Sequence, residues 1–265
     1  MRAVSLNGAV MHFREDGNAG GRPLLLINSL GTDFRVWDKL VPLLPDDLRV
    51  IRYDKRGHGL SELTPGPYAI DQLADDAAAL LDHLELREAI VVGLSIGGLI
   101  GQSLAARRPD LVRAMVLMDT AAKIGTEEMW AERIATVEAS GIEALADAVM
   151  QRWFSRGFAE HHPQELLAWR NMLTRTPDAG YAACSAAIAK ADYTESTRKL
   201  QIPVLALAGD EDGSTPPELV SATADLIEDS RYETIEQAGH LPAVERPHTV
   251  AGLIVGFLQD CRLAN

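Results

Sequence analysis

A serine between two glycines, in Gly93-Leu94-Ser95-Ile96-Gly97, is the feature of this chain best suited to chemistry. The β-branched run Val91-Val92 precedes it and apolar, helix-forming residues follow, which is the order of a strand, a sharp turn and a helix. Such a turn leaves little room for side chains beside the serine, and it lifts the hydroxyl to the N-terminus of the helix, where free N–H groups stabilise negative charge. A glycine-rich turn with an incidental serine is the alternative, but the flanking strand and helix favour Ser95 as a nucleophile.

A serine nucleophile needs a base and an acid that orients the base, and in folds with such a turn both follow the serine, the acid first. Of the seven histidines, His240 follows the last predicted strand in a loop that can reach Ser95, and we predict that it is the base. Two aspartates compete for the acid: Asp212, three places after Gly209, and Asp119, directly after an earlier strand. We favour Asp212, which would accept the histidine N–H and stabilise the imidazolium.

The reaction also needs hydrogen-bond donors for the negative charge that develops on the attacked carbonyl oxygen. One donor is the N–H of Ile96, the residue after the nucleophile. The second is expected from the loop Asn28–Thr32, which follows the apolar run Leu24–Ile27, and counting along this loop selects the backbone N–H of Leu30. Backbone donors of this kind supply on the order of a few kcal/mol to the transition state. A plain strand-to-helix turn is the alternative for the same loop.

Strand patterns alternate with helical patterns along most of the chain. Two strands are predicted around the turn Asn7-Gly8, and helices are predicted over Ile70–Leu84 and Thr249–Leu258. Mainly apolar runs, typical of strands buried on both faces, are Leu24–Ile27, Val50–Tyr53, Ala89–Val92, Ala114–Met118 and Val204–Ala208. A last strand is predicted over Tyr232–Ile235. The alternation predicts an α/β fold with a mostly parallel central sheet and helices on both faces.

The stretch 121–198 breaks this alternation, because it contains helical patterns and no convincing strand. Helices are predicted over Glu127–Ala139, Ile142–Trp153, Gln164–Leu173 and Tyr181–Ala191. A helical insertion between two strands of a sheet is most simply a cap over the C-terminal edge of the strands, where such folds keep their sites. We therefore predict a core formed by residues 1–120 and 199–265 and a cap formed by residues 121–198. A separate helical domain is the alternative.

Composition and charge exclude several function classes. The 265 residues are 47% hydrophobic, enough for a large core, and the net charge of −13 argues against nucleic acid and anionic membranes as partners. Charged residues interrupt every apolar run before it reaches the length of a membrane span, and the first residues lack the apolar region of a signal peptide. Cys184 and Cys261 form neither a disulfide framework nor a metal pattern. We expect a cytoplasmic protein with no metal site, and the oligomeric state stays open.

Several motifs of the chain are similar to those of a known family. They are Asn28-Ser29-Leu30-Gly31-Thr32-Asp33, Arg52-Tyr53-Asp54-Lys55-Arg56-Gly57-His58-Gly59, Gly93-Leu94-Ser95-Ile96-Gly97-Gly98 and, in the predicted cap, Arg152-Trp153-Phe154. The whole chain resembles the α/β-hydrolase superfamily, and its details resemble the 3-oxoadipate enol-lactone hydrolases, which more often have Met at the position of Ile96. The resemblance implies an α/β-hydrolase fold with a helical cap inserted after the sixth strand. It also implies a serine hydrolase that opens the carboxylated enol-lactone of the β-ketoadipate pathway to 3-oxoadipate through an acyl-enzyme, without a metal or organic cofactor.

The carboxylate of such a substrate would need basic residues nearby, because the protein as a whole is acidic. The basic candidates in the predicted cap are Lys123, Arg133, Arg152 and Arg175. We favour Arg152 beside Trp153, since a guanidinium can hold both oxygens of a carboxylate against an apolar wall. Solvated helix charges and ordinary packing are the alternative. The same catalytic residues would also serve a carboxylesterase, a C–C bond hydrolase or a cofactor-free perhydrolase, and the fold can also serve as a small-molecule receptor with slow turnover.

Overall fold

Eight strands form one sheet in the computed structural model, which describes residues 1–261. In chain order they are β1 (Arg2–Leu6), β2 (Ala9–Gly17), β3 (Arg22–Ile27), β4 (Leu48–Tyr53), β5 (Ala89–Leu94), β6 (Val112–Met118), β7 (Val204–Gly209) and β8 (Ser230–Ile235). Their order across the sheet is β1-β2-β4-β3-β5-β6-β7-β8. β2 pairs antiparallel with β1 and with β4, and all other neighbours are parallel. The mostly parallel α/β sheet that the sequence predicts is confirmed.

The central strands are buried on both faces. Every residue of β5 and β7 is buried, as are the last four residues of β3, Leu24–Ile27. A strand with both faces covered keeps no polar face, which is why these segments are continuous apolar runs. The edge strand β8 instead exposes Arg231, Glu233 and Thr234. The middle of the sheet is therefore enclosed by helices on both sides.

Eleven α-helices accompany the strands within residues 1–261. They are α1 (Ile70–His83), α2 (Ile96–Arg107), α3 (Glu127–Ser140), α4 (Ala146–Trp153), α5 (Arg156–His161), α6 (Pro163–Thr174), α7 (Asp178–Ala189), α8 (Thr194–Thr197), α9 (Pro217–Ala224), α10 (Pro242–Glu245) and α11 (Pro247–Asp260). Short 3-10 helices span Phe34–Trp37, Val41–Leu43 and Ile142–Leu145. Helix α2 packs against α1 and against β5 and β6. Of the helices described, none has the length and apolar character needed to cross a membrane.

Helices α3 to α8 all lie between β6 and β7 in the chain, where the sequence predicts helices and no strand. Helix α3 packs against α7, and α4 packs against α6. This helical group meets the rest of the chain at Gly57 and Gly180, so closely that a Cβ on Gly180 would lie 2.2 Å from the Gly57 carbonyl oxygen. The insertion after the sixth strand is confirmed, whereas the division into a core (1–120 and 199–265) and a cap (121–198) stays a prediction.

Candidate active site

Ser95 lies at the turn between the end of β5 at Leu94 and the start of α2 at Ile96. Its backbone has φ 58° and ψ −120°, a strained conformation for a residue with a side chain. Two hydrogen bonds hold it there. The Ser95 N–H donates to the Met118 carbonyl oxygen at 3.0 Å, and the Thr120 hydroxyl donates to the Ser95 carbonyl oxygen at 2.7 Å. The turn therefore holds the Ser95 hydroxyl at the N-terminus of α2.

Glycines on both sides of Ser95 make this turn sterically possible. A Cβ on Gly97 would lie 2.1 Å from the carbonyl oxygen of Ile27 in β3, and a Cβ on Gly93 would lie 2.4 Å from the carbonyl oxygen of Gly97. Both contacts are with backbone atoms, so no side-chain rotation could relieve them. The spacing Gly-x-Ser-x-Gly is thus required by the close approach of α2 to β3 and β5.

His240 and Asp212 form a buried pair in the loops after β8 and β7. His240 Nδ1 lies 2.8 Å from Asp212 Oδ2. The Asp212 carboxylate also accepts hydrogen bonds from the Ser214 N–H and the Thr215 hydroxyl, each at 2.7 Å. Burial opposes the ionisation of Asp212, but His240 and these two donors outweigh it and lower the pKa of Asp212 below its ordinary value. An ionised Asp212 fixes the His240 proton on Nδ1, which leaves Nε2 free to accept another.

Asp119 lies beside this pair, so the structure brings both candidate acids to the same place. Atoms of Asp119, Asp212 and His240 all lie within 4.8 Å of one another. Asp119 Oδ1 accepts a hydrogen bond from the Gly209 N–H at 2.8 Å, and Oδ2 has no partner within residues 1–261. Burial and the nearby Asp212 carboxylate raise the pKa of Asp119 well above its ordinary value. Of the two acids, Asp212 is the one bonded to His240.

Glu245 ties the His240 loop to the helical insertion. Its buried carboxylate accepts hydrogen bonds from the Gly239 N–H at 2.7 Å, from the Ser155 N–H at 3.2 Å and from the Ser155 hydroxyl. Ser155 is the N-cap residue of α5. Burial raises the pKa of Glu245, although the donors around it act in the opposite direction. The position of His240 therefore depends on helix α5 as well as on the loop after β8.

A cavity of about 270 Å³ contains both Ser95 and His240. It is lined by Ser29, Leu30, Ser95, Ile124, Gly125, Met129, Trp130, Arg133, Arg152, Trp153, Tyr181, Gly213, Ser214, Thr215 and His240. None of these lining residues is Asp or Glu. Larger surface grooves elsewhere contain neither Ser95 nor His240. This cavity is therefore where a substrate would meet the Ser95 hydroxyl.

The loop Asn28–Thr32 reaches this cavity through Ser29 and Leu30. The N–H groups of Leu30 and Ile96, the predicted oxyanion donors, take part in no turn, loop or cap hydrogen bond in the part of the chain that the structure describes. Ser95 and His240 share the cavity without a direct hydrogen bond between their side chains in residues 1–261. Such contacts often tighten only when a substrate is bound. The role of the two N–H groups stays a prediction.

Two arginines contribute positive charge to the cavity wall. The Arg133 guanidinium lies 5.1 Å from the centre of the Trp130 ring, and its Nη1 lies 3.3 Å from the Tyr181 hydroxyl oxygen. Arg152 and Trp153, adjacent at the end of α4, line the same cavity. Because the wall carries no carboxylate, these two cations favour an anionic ligand.

Lys123 lies outside the cavity, contrary to the expectation from the sequence. Its side chain is exposed, and its ammonium group pairs with Asp192 at 3.2 Å, while the next residue, Ile124, lines the cavity. Arg175 lines a separate groove beside Phe34.

Thr215 and Tyr181 are site residues that the sequence patterns do not reveal. The one signal for Thr215 is its position three residues after Asp212, which lets its hydroxyl turn back to that carboxylate. Tyr181 carries no such signal, because its place in the wall depends on how α7 packs against α3.

Residues 22–247 match the family described as alpha/beta hydrolase fold. The match spans most of the chain and agrees with the parallel sheet and the turn at Ser95, and the chain belongs to this family.

Comparison with individual proteins shows which enzymes of this family the chain resembles. The chain is 37% identical to 3-oxoadipate enol-lactonase 2 of Acinetobacter baylyi over 260 residues, which cover 96% of each chain. It is 38% identical to the enol-lactonase of Burkholderia xenovorans in its crystal structure, with a TM-score of 0.94 over 97% of this chain and 100% of that one. A malate-bound esterase of Thermogutta terrifontis matches at 30% identity, with a TM-score of 0.92 over 98% and 99% of the two chains. The resemblance to the enol-lactone hydrolases is confirmed.

Proposed function

We propose that this protein is a serine hydrolase that opens a carboxylated enol-lactone to 3-oxoadipate, the reaction of the β-ketoadipate pathway. The observation that carries the proposal is the cavity shared by Ser95 and His240, whose wall holds Arg133 and Arg152 but no carboxylate. The likeness to two enol-lactonases, at 37% and 38% identity, supports the same substrate.

Acylation begins when His240 Nε2 takes the hydroxyl proton of Ser95 and the serine oxygen attacks the lactone carbonyl. Asp212 holds the Nδ1–H of His240 and stabilises the imidazolium that forms. The carbonyl oxygen becomes an oxyanion, which accepts hydrogen bonds from the N–H groups of Leu30 and Ile96. The ring C–O bond then breaks and expels an enolate, which takes the proton from His240 and ketonises. An enolate leaves far more readily than an amine, so modest acid catalysis by His240 is sufficient.

Deacylation repeats these steps with water as the nucleophile. His240 takes a proton from the water as it attacks the acyl carbonyl, and then returns a proton to the Ser95 oxygen as the ester bond breaks. The products are 3-oxoadipate and the free enzyme. Every proton is moved by His240, so the mechanism involves no metal or organic cofactor.

The substrate carboxylate binds at the arginines of the cavity. Arg152 and Trp153 offer a guanidinium beside an apolar ring, and Arg133 offers a second cation on the same wall. The helices of residues 121–198 act as a cap in this proposal, because they supply both arginines while the loops of the sheet supply Ser95 and His240.

The test is the loss of enol-lactone absorbance with the wild-type protein beside Ser95→Ala. Rapid hydrolysis that disappears in the variant is the expected result. Cleavage of p-nitrophenyl acetate without any effect on the enol-lactone would leave the serine hydrolase and overturn the substrate. Activity that survives Ser95→Ala would overturn the nucleophile.

A carboxylesterase for small acidic esters is the second candidate. It is favoured by the likeness at 30% identity to the malate-bound esterase, together with the same two arginines. The two candidates differ in the leaving group, which is an enolate that stays attached to the acyl chain in the lactone and a separate alcohol in the open-chain ester. The values of kcat/KM for the enol-lactone and for a monoalkyl ester of a dicarboxylic acid therefore separate them. The enol-lactone is expected to be the better substrate.

A further inference from the structure

Three carbonyl oxygens of the loop Asn28–Thr32 converge on one buried ammonium group. Lys55 Nζ donates hydrogen bonds to the carbonyl oxygens of Ser29, of Asn28 at 3.4 Å and of Thr32 at 3.5 Å. Lys55 is 1% exposed. A lysine is rarely buried so completely, because removing its charge from water is costly. The mechanism above does not use this charge.

The Ser29 carbonyl oxygen is held more firmly than the other two. Besides the bond from Lys55, it accepts hydrogen bonds from the Thr32 hydroxyl at 2.9 Å and from the Thr32 N–H at 3.3 Å. This carbonyl belongs to the same planar peptide group as the N–H of Leu30, and in a trans peptide the C=O and N–H bonds point in opposite directions. The N–H of Leu30 is therefore directed away from Lys55, and Leu30 itself lines the cavity that contains Ser95.

We propose that Lys55 is a positioning residue that orients and polarises the Ser29–Leu30 peptide, so that the Leu30 N–H acts as a strong oxyanion donor. A cation bound to the carbonyl oxygen draws electron density through the peptide group and strengthens its N–H as a donor, as in a cooperative chain of hydrogen bonds. The inference rests on the proposed function, because it needs an oxyanion opposite Ser95. Lys55 itself touches neither substrate nor reacting atoms.

The surroundings of Lys55 make its charge sensitive to alkaline pH. Burial lowers the pKa of Lys55 from 10.5 to about 8. The charged or titratable groups that act on it are Asp33 and Asp54 from the neighbouring loops and Cys184 from α7. Burial raises the pKa of Cys184 to about 12, so this thiol stays neutral in the relevant range. His58, which accepts the Gly31 N–H at 3.0 Å, is kept neutral because burial lowers its pKa well below the ordinary value.

Activity and stability should respond to this titration in opposite directions. Above about pH 8 the ammonium loses its proton and the Leu30 N–H weakens as a donor, so kcat falls. In the unfolded chain the pKa of Lys55 returns to 10.5, so the unfolded state binds more protons than the folded state between about pH 8 and this value. The contribution of Lys55 to stability therefore rises with pH across that window, while kcat decreases.

The experiment measures kcat and KM for p-nitrophenyl acetate from about pH 6 to pH 10, with Ser95→Ala as the blank for spontaneous hydrolysis. Lys55→Met keeps most of the length of the side chain and removes its charge and donors. We expect its kcat at neutral pH to be about 10- to 100-fold below wild type, somewhat less than the loss of a whole oxyanion donor, with KM nearly unchanged. The alkaline decline of wild-type kcat should be absent in Lys55→Met. Thr32→Val is the matched control, because it removes an uncharged donor to the same Ser29 oxygen and should keep the wild-type pH profile.

Three kinetic outcomes would overturn the proposal. The first is a kcat for Lys55→Met close to that of wild type. The second is an alkaline decline of kcat in Lys55→Met equal to that of wild type. The third is a wild-type kcat that does not fall between about pH 7 and pH 10. The last outcome needs no variant and stands even if Lys55→Met does not fold. Urea denaturation adds a check on folding, in which the stability of wild type relative to Lys55→Met should rise with pH. A stability that falls with pH in parallel with kcat would instead mean that Lys55 supports the fold and does not act on the oxyanion donor. Loss of the enol-lactone reaction with intact ester hydrolysis would affect the proposed substrate and leave this inference standing.

Discussion

Asp119 and Asp212 are two carboxyl groups in one buried corner of the site, and their surroundings favour different protonation states. Asp212 faces His240 and two hydrogen-bond donors, which together outweigh burial and favour its ionised form. Asp119 is buried beside the Asp212 carboxylate, and the single Gly209 N–H does not compensate, so its protonated form is favoured. Of the two, Asp212 is therefore the carboxyl group whose charge acts on the bonded His240.

Asp212→Asn should abolish most of the activity, whereas Asp119→Asn should be mild. An amide at position 212 would hold His240 in the wrong tautomer, a change that costs about 10⁴-fold in kcat in a Ser-His-Asp triad. An amide at position 119 resembles the neutral acid and can still accept the Gly209 N–H, so we expect a loss of less than about 10-fold. The measurement is kcat for p-nitrophenyl acetate with both variants. The reverse order would make Asp119 the orienting acid.

How far single residues could be predicted depends on where they lie. Ser95, Asp212 and His240 each follow a strand of one parallel sheet, and such strand ends meet at the same edge, so the order of strands and loops along the chain is enough to predict that these side chains lie together. Lys123 and Arg175 lie in a loop and at a helix end of the insertion. Their directions depend on how helices pack on one another, which no local pattern specifies. For the same reason the sequence does not rank Arg133 above Lys123, and it favours Arg152 only through its neighbour Trp153.

At the scale of elements, the turn from β5 to α2 is the tightest junction in the site. It depends on backbone contacts that only glycine permits, so Gly97→Ala should be strongly destabilising. The new Cβ would lie 2.1 Å from the Ile27 carbonyl oxygen, and we expect a cost of about 3 kcal/mol in the free energy of unfolding. The matched control is Gly252→Ala in α11, where the new Cβ would meet no atom of residues 1–261 within 4 Å apart from its chain neighbours and the backbone of its own helix, and alanine should stabilise the helix by about 0.5–1 kcal/mol. Urea denaturation measures both, and equal effects would contradict the steric explanation.

Glu245 links the His240 loop to helix α5, so its removal should affect both the stability of the fold and the activity. Glu245→Ala would leave the buried donors of Ser155 and Gly239 without their carboxylate, and we expect a cost of about 3 kcal/mol together with a lower kcat. Glu211→Ala is the control, because Glu211 accepts the Arg156 N–H at 3.0 Å at the same end of α5 but is exposed. Its loss should cost about 0.5 kcal/mol and leave kcat unchanged. A kcat for Glu245→Ala equal to that of wild type would show that His240 is positioned without this link.

The long elements could be predicted from the sequence, and several short ones could not. Strands β3, β5 and β7 are apolar throughout because both faces are covered, and helices α1 and α3 are long enough for an amphipathic pattern. Helices α5, α8 and α10 have six residues or fewer, too few turns to show a period, and helices this short form only when tertiary contacts support them. The pairing of β4 with both β2 and β3 also has no local signal, since it joins segments distant in the chain.

At the scale of the whole molecule, the charge of the cavity is opposite to that of the protein. The net charge is −13, while the cavity wall holds Arg133 and Arg152 and no carboxylate. Dissolved salt screens exposed charges beyond about 10 Å at 0.1 M ionic strength, but it acts less on partly buried contacts. An anionic substrate therefore meets long-range repulsion that salt removes and short-range attraction that salt affects less.

The double variant Arg133→Met/Arg152→Met should separate these two effects. Losing charge-assisted hydrogen bonds to a substrate carboxylate costs about 2 kcal/mol each, so we expect KM for the enol-lactone to rise at least about 30-fold, with little change for the neutral p-nitrophenyl acetate. With the cavity cations gone only repulsion remains, and added salt should then raise kcat/KM for the enol-lactone more strongly than it does in the wild-type protein. Lys123→Met is the control, because it removes one exposed positive charge that is paired with Asp192 outside the cavity. Equal losses for both substrates in the double variant would mean that the arginines support the fold of the cavity wall and do not bind the carboxylate.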